Sequence, residues 1–299
     1  MQKQVLLSLL ALAATVGSLY YFNTESNYTN EVYEIPQLTA YEEDIVFDNN
    51  SCTWNLNSKN IDNTMLVSIS KTISRRLQSM APEPIRIFEI NLYNNKISNI
   101  EPLFEAIYEG LGYTLEQLYV NVGFNHVADV SYLSQWTVPS KLRAFDINLY
   151  SISTSKLKSI QGIISVFKRM QYAETFGVNI QNQQVSDIAD LLDEIISTNK
   201  QINKLMLNFS SNPKPENWKD QLVSALGKQS YINSLNLGLD SSYITTTYLN
   251  QIESKVYNLK YLNEFIISVK SNNLAKNDVV NIFQDLSDKI GSNNVIIYV

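Results

Sequence analysis

Ile85-Arg86-Ile87-Phe88-Glu89-Ile90-Asn91-Leu92-Tyr93-Asn94-Asn95-Lys96-Ile97 is the stretch that decides how this chain folds. Apolar residues stand at its first, fourth, sixth and eighth positions (Ile85, Phe88, Ile90, Leu92), and the same spacing returns along the chain. It begins again at Leu115 (Leu118, Val120, Val122), Leu142 (Phe145, Ile147, Leu149) and Ala173 (Phe176, Val178, Ile180). Three more copies start at Ile202 (Leu205, Leu207, Phe209), Ile232 (Leu235, Leu237, Leu239) and Leu262 (Phe265, Ile267, Val269), so successive starts lie 30, 27, 31, 29, 30 and 30 residues apart. A worn copy, Cys52-x-Trp54-x-Leu56, precedes them, and Val295, Ile297 and Val299 supply a last one. Self-similarity at a fixed period of this length marks a solenoid, in which each unit buries its apolar face against its neighbours.

Within each copy the last apolar positions alternate with period 2, which predicts a short strand with one buried face. The period then changes. After Tyr93, residues Ile97, Ile100, Leu103, Phe104, Ile107 and Leu111 recur at spacings of three and four, as do Val185, Ile188, Leu191, Leu192, Ile195 and Ile196 further on. That is one stripe of a helix. Strands joined by crossover helices form a parallel sheet, so the sequence predicts an α/β solenoid with a curved sheet inside and helices outside.

The strand motif resembles the leucine-rich repeat, and its spacing with a helix in each unit is similar to the ribonuclease-inhibitor-like subclass, from about Cys52 to Val299. The resemblance implies that an Asn past each strand, followed two residues later by an apolar residue, turns the chain out of the sheet. Asn95 with Ile97, Asn125 with Val127 and Asn272 with Leu274 fit this. Ser242 stands in that place before Ile244, Ile152 stands there in the copy from Leu142, and Asn212 is followed by Pro213 and Pro215. The family implies binding through displayed surface residues and supplies no particular site residues.

A second regularity lies on the opposite side of the strands from the core. The position between the last two apolar residues is Asn55, Asn91, Asn121, Asn148, Asn179 and Asn208 in six consecutive copies, then Gly238 and Ser268. With 34 Asn in 299 residues, chance would put about one Asn in eight such positions. In an in-register stack their amides form a ladder on the concave face. Two readings remain open: a polar strip that recognises a partner, or a ladder that stabilises the face by itself.

Charge is uneven along the chain. Residues 23–50 carry seven acidic residues and no Lys or Arg, residues 1–22 carry only Lys3, and residues 51–299 sum to zero out of a net −6. A neutral repeat region without a basic stripe excludes the electrostatic footprint of nucleic-acid binding. Residues 23–50 read as an acidic extended spacer between residues 1–22 and a repeat domain over 51–299 of about eight repeats. Sequons at Asn27, Asn49 and Asn208 arise easily in a chain so rich in Asn.

Val5 to Phe22 is an almost unbroken apolar run ending in Tyr20, Tyr21 and Phe22. At 1.5 Å per residue, 18 residues make about 27 Å of helix, close to a bilayer's hydrocarbon core. The segment predicts a transmembrane anchor over residues 4–22 in contact with lipid, or a cleaved signal peptide. With the single cysteine, Cys52, offering no disulfide partner, the anchored reading leads to a single-pass protein of the mitochondrial inner membrane, with the repeats in the intermembrane space. The alternative is the secretory pathway or the cell surface.

Residues able to do chemistry are sparse. His126 is the only histidine, which removes two-His metal sites, and it stands in a turn. Cys52 next to Trp54 reads as a buried structural thiol. Gly110 and Gly112 follow a helix and suit a C-terminal cap. Asp190, Asp193 and Glu194 read as a solvated helix face, as do Arg75 and Arg76. No cofactor, metal or small-molecule substrate is expected. The sequence thus predicts a non-catalytic accessory or scaffolding subunit of a membrane complex that binds other protein subunits through its repeat surface. The other reading is a secreted or surface recognition protein with a ligand-binding strip.

Overall fold

The computed structural model describes residues 44–48, 50–79, 84–151, 154, 156–198, 200–212 and 218–299. Ten described strands form one sheet in chain order: β1 (Ile45–Asp48), β2 (Ser51–Asn55), β3 (Ile87–Asn91), β4 (Gln117–Asn121), β5 (Ala144–Asn148), β6 (Thr175–Asn179), β7 (Lys204–Asn208), β8 (Ser234–Gly238), β9 (Glu264–Ser268) and β10 (Val295–Tyr298). β1 pairs antiparallel with β2 inside the stretch expected as spacer, and Asp44 beside it pairs with Lys59 at 2.7 Å. From β2 onward every neighbour is parallel. The protein is a solenoid-like α/β repeat array.

Helices follow the strands as the change of period requires: α1 (Asn63–Ser79), α2 (Glu101–Leu111), α3 (Gln161–Arg169), α4 (Ile188–Ser197), α5 (Trp218–Lys228), α6 (Thr246–Tyr257), α7 (Lys276–Ile282) and α8 (Gln284–Ile290). Their starts have local causes. The Asp62 carboxylate accepts from Met65 N at 2.9 Å, Pro102 occupies the first turn of α2, and the Thr245 hydroxyl accepts from Tyr248 N at 3.3 Å; each serves a backbone position that has no intrahelical donor or acceptor partner. The apolar stripe of every helix packs on one face of the sheet, where Phe88, Leu118, Phe145, Phe176, Leu205, Leu235 and Phe265 line up across the strands, all fully buried.

One repeat departs from the expected helix. Between β4 and β5, in the 27-residue unit, the chain makes a single 3-10 turn, Ser131–Ser134. Too few residues remain for an α-helix, and aromatic packing fills the gap. Trp136 donates its indole N–H to Phe104 O at 2.8 Å and meets the Phe104 ring edge-on at 5.1 Å. The Arg169 guanidinium ties the turn down by donating to Leu133 O and Trp136 O, both at 2.6 Å. α3 therefore closes in on the turn, and Gly162 permits it, since a Cβ there would lie 1.9 Å from Val130 O. Gly110 likewise sits within α2 against Leu77 of α1, and Gly112 caps α2 by donating to Tyr108 O.

The turn expected of the repeat is built around a buried amide. Asn95 donates to Leu92 O and to Leu56 O of the preceding unit, both at 2.9 Å, and accepts from Ile61 N of that unit at 2.9 Å. Asn125 repeats this with Leu92 O (2.8 Å), Val122 O (3.1 Å) and Ile97 N (2.9 Å), and Asn272 with Leu239 O, Val269 O and Ile244 N. Asn212 keeps the device, donating to Ile180 O at 2.7 Å. Gln183 performs the same task in its unit, donating to Leu149 O and accepting from Leu157 N. The residue before each of these amides is left-handed: Asn94, Phe124, Asn182, Ser211 and Ser271 have φ between 56° and 59°. Ile152 lies outside the described residues.

The expected membrane segment requires correction. The longest described helix, α1, has 17 residues and carries Lys71, Arg75 and Arg76. A spanning helix needs about 20 consecutive apolar residues, whereas the described helices spend one apolar stripe on the sheet and turn a polar face outward. No helix among the described residues is long and apolar enough to cross a membrane. The described residues therefore form an α/β repeat array with no helix able to span a membrane among them, and placement as a single-pass membrane protein of the mitochondrial inner membrane is not supported. Residues 4–22 lie outside the described residues.

Gly162→Ala is expected to lower unfolding free energy by about 2–3 kcal/mol, because the added methyl meets backbone instead of a yielding side chain; urea denaturation of the variant beside wild type measures it.

Candidate functional site

The sheet face opposite the helices, here the open face, carries the side chains left over from core packing. Because strands β2 to β9 pair in register, these form columns across the sheet. The six asparagines of the sequence pattern fall in one: Asn55 pairs with Asn91, Asn91 with Asn121, and so through Asn148 and Asn179 to Asn208, Gly238 and Ser268. Asn91 donates to Asn55 Oδ1, and Asn121 to Asn91 Oδ1, each at 3.0 Å. The carboxamide oxygens do something further. Those of Asn91, Asn121, Asn148, Asn179 and Asn208 accept from the backbone N–H two residues on, at Tyr93, Gly123, Tyr150, Gln181 and Ser210, within 3.0–3.1 Å. Each Asn thus closes an Asx-type turn at its strand's end. The column stops where Asn208 leans across Gly238, at which a Cβ would come within 2.3 Å of Asn208 Oδ1. Asn208 also donates Nδ2 to Gln181 Oε1 at 3.2 Å, so a glycan at this sequon would take the place of an amide hydrogen in the ladder's end.

Two residues earlier on each strand lies a second column: Thr53, Glu89, Tyr119, Asp146, Gly177, Met206, Asn236 and Ile266. Sequence reasoning missed it, although the repeat spacing places it in plain alignment. Asp146 is only 8% exposed. It leans over Gly177, where a Cβ would lie 2.5 Å from Asp146 Oδ1 and 2.8 Å from the Met206 methyl. Burial pushes its carboxyl up to about 7, with Lys204 opposing the rise and Glu89 adding to it. Glu89, half-buried on the strand beyond Tyr119, is also raised by burial. Tyr119 donates its hydroxyl to Gln117 Oε1 at 3.0 Å, so its ring lies down along β4; burial, with the charges of Asp146 and Glu89, lifts the phenol to about 12.

Both ends of these strands carry further order. At their starts, Arg86, Glu116, Arg143 and Glu174 form an alternating chain: Arg86 to Glu116 at 3.4 Å, Arg143 to Glu116 at 3.0 Å and Arg143 to Glu174 at 3.2 Å. Past their ends, the Phe124 ring sits between those of Tyr93 and Tyr150, with centroids 4.8 Å away on each side. Phe124 has φ of 59°, a conformation that a bulky residue rarely adopts, and Gly123 makes the room, since a Cβ there would stand 3.0 Å from the Tyr93 ring. Polar ladder, acidic column, charged rim and aromatic ridge all coincide on β3 to β6.

Elsewhere the candidate residues are held by local structure. Cys52 is buried, accepts from the Trp54 indole N–H at 3.1 Å, and its thiol is pushed up to about 12 by burial. His126 is exposed in its turn, its backbone N–H donating to Ile97 O. Asp190 accepts from Gln161, Asp193 accepts from Gln221, and Glu194 pairs with Lys168 at 3.1 Å, so these carboxylates join neighbouring repeats. Among the described residues no group of three or more His, Cys, Asp or Glu is placed to hold a metal. No protein-family model matches the chain, and no curated protein matches it in sequence.

Two outcomes follow from this geometry. Replacing Asn121 and Asn148 together with Leu removes two turn-closing acceptors and is expected to lower the melting temperature, at about 1–3 kcal/mol for each buried N–H left without its acceptor; scanning calorimetry reads it. The Asp146 carboxyl has a folded pKa above its unfolded one, so the native state binds the extra proton and stability falls as pH rises from about 4 to about 7, then levels. Asp146→Asn is expected to escape that loss, gaining up to about 4 kcal/mol over wild type at about pH 8 and little at about pH 4. Denaturation curves across that range test the sign.

Proposed function

We propose that this chain is a leucine-rich-repeat-like protein of the ribonuclease-inhibitor-like kind that acts without catalysis, as an accessory or scaffolding subunit, holding another protein on the open face of β3 to β6. The observation that carries the reading is the convergence there of four differently composed sets of side chains: amides, carboxylates, an ion-pair chain and an aromatic ridge. Patches that bind protein combine aromatic anchors with polar groups in this way. Repeat arrays use their sheet surface for such contacts because neighbouring units extend it without limit of a single core.

Further support comes from how the face is held. The amide column and the Arg86–Glu116–Arg143–Glu174 chain fix side-chain positions before any partner arrives, which lowers the entropy lost on association.

The test uses tagged full-length protein recovered with its partners from cells that express it. Gln117→Arg and Thr175→Arg, each placing a long charged side chain on a half-buried open-face position, are expected to weaken retention of the partner about tenfold or more. Glu105→Arg on the outer surface of α2 is expected to leave it unchanged. Equal retention by all three variants would remove the open face as the binding surface.

A further inference from the structure

The turns that follow β5, β6 and β7 enclose an open pocket of about 620 Å³. Its described walls are polar throughout and include two lysines, Lys156 and Lys158, and no acidic residue. The irregular unit supplies both. The copy from Leu142 has Ile152 where the turn amide is expected, and a little further on a charged side chain enters the turn: Lys156 donates Nζ to Ser151 O at 3.0 Å and to Asn182 O of the next unit at 2.7 Å. Carbonyls hold this ammonium in place without neutralising it. Among the described residues Lys156 has no ion-pair partner; burial alone holds its pKa below the ordinary lysine value, with no carboxylate opposing the shift. A partly buried charge in this position costs stability unless one of opposite sign reaches it. An ammonium carries three donors, and two are taken, which leaves one for an occupant of the pocket.

The rest of the wall is fixed and has donors to spare. Lys158 O accepts from Ser186 N at 3.2 Å and from the Ser186 hydroxyl at 3.4 Å, and Gln184 N donates to Leu157 O at 2.9 Å, so two successive turns are tied together at the pocket. The Lys158 ammonium, the Gln184 carboxamide and the Ser211 hydroxyl make no hydrogen bond or ion pair among the described residues. Asp187, the next carboxylate along the chain, is occupied by Ile160 N at 3.0 Å and by Ser159 Oγ at 2.6 Å. Two positive charges beside neutral donors select an anion, and their sum selects which. A carboxylate brings one negative charge and leaves a lysine unmatched, whereas a phosphate monoester brings about −1.5 to −2 at neutral pH on three strong acceptor oxygens.

We propose that Lys156, Lys158, Gln184 and Ser211 form a binding site for a phosphate monoester, at the strand-exit edge and apart from the open face. Lys156 is set in place by its carbonyls, and Lys158 reaches the same anion as a flexible point charge.

Full-length protein labelled with 15N is titrated with glycerol 3-phosphate, a small-molecule source of the group, and with a short Gly/Ser peptide carrying one phosphoserine, a protein source. Saturable movement of the Gln184, Ser186 and Ser211 backbone amide signals is expected with at least one probe, and the tighter of the two assigns the source. Lys158→Gln, at an exposed position, is expected to weaken that binding about tenfold or more with an unchanged melting temperature. Lys156→Gln keeps a donor for the two carbonyls while removing the charge, and is expected to abolish binding; should it fail to fold, Lys158→Gln decides. Three results overturn the site: signals that stay still at the highest probe concentration, equal movement with sodium chloride at matched ionic strength, or wild-type affinity in Lys158→Gln.

Discussion

A carboxamide set under a turn and reaching into the unit before it keeps this array in step. Asn95, Asn125, Asn212 and Asn272 each bind carbonyls at the end of their own strand and a carbonyl of the unit before, and each accepts an N–H from that earlier unit. Asn95, Asn125 and Asn212 lie where water does not reach, so leaving any of their groups unpaired costs about as much as losing a hydrogen bond outright. Satisfying them fixes where the chain leaves one strand relative to the next. Register follows, and with register come the columns of the open face. A slip of one residue would send every apolar side chain to the wrong side of the sheet.

Columns explain why two glycines matter more than their size suggests. At Gly238 and at Gly177 a polar side chain from the preceding strand lies down over the missing Cβ, Asn208 in one case and Asp146 in the other. For the amide this is harmless, because its oxygen and nitrogen still find Ser210 and Gln181. For the carboxylate it brings burial without a donor, and the proton affinity of the group rises accordingly. The same local geometry therefore ends a structural ladder at one place and raises the proton affinity of a carboxyl at another. From β7 onward the second column turns to Met206, Asn236 and Ile266, and the chemistry fades.

Much of this was legible in the sequence. The change from period 2 to a period near 3.6 located strands and helices, and the asparagine count in one repeat position identified a column before any register was known. What the pattern could not convey was compensation. The 27-residue spacing before Leu142 left no room for a helix, but only the structure shows Trp136, Arg169 and Gly162 closing the gap. Gln183 does the work of Asn with a longer side chain, so a search for Asn alone passes over it. The acidic column was readable as an alignment of Glu89, Tyr119, Asp146 and Gly177; its burial was not, because burial there depends on which neighbour leans which way. The apolar run near the N-terminus was read from its length, its lack of charge and its aromatic end, and it lies outside the described residues, whose helices owe their apolar residues to the sheet.

The turn amides have a direction. Each reaches back to finish the unit before it, so a repeat's own exit turn is complete only when its successor is in place. A chain leaving the ribosome meets this condition in order: Ile61 N waits for Asn95, Ile97 N for Asn125, Leu157 N for Gln183 and Val185 N for Asn212. Newly made units are thus finished one behind the point of synthesis, and the most recent is always the least settled. The grain of the array coincides with the direction in which it is made.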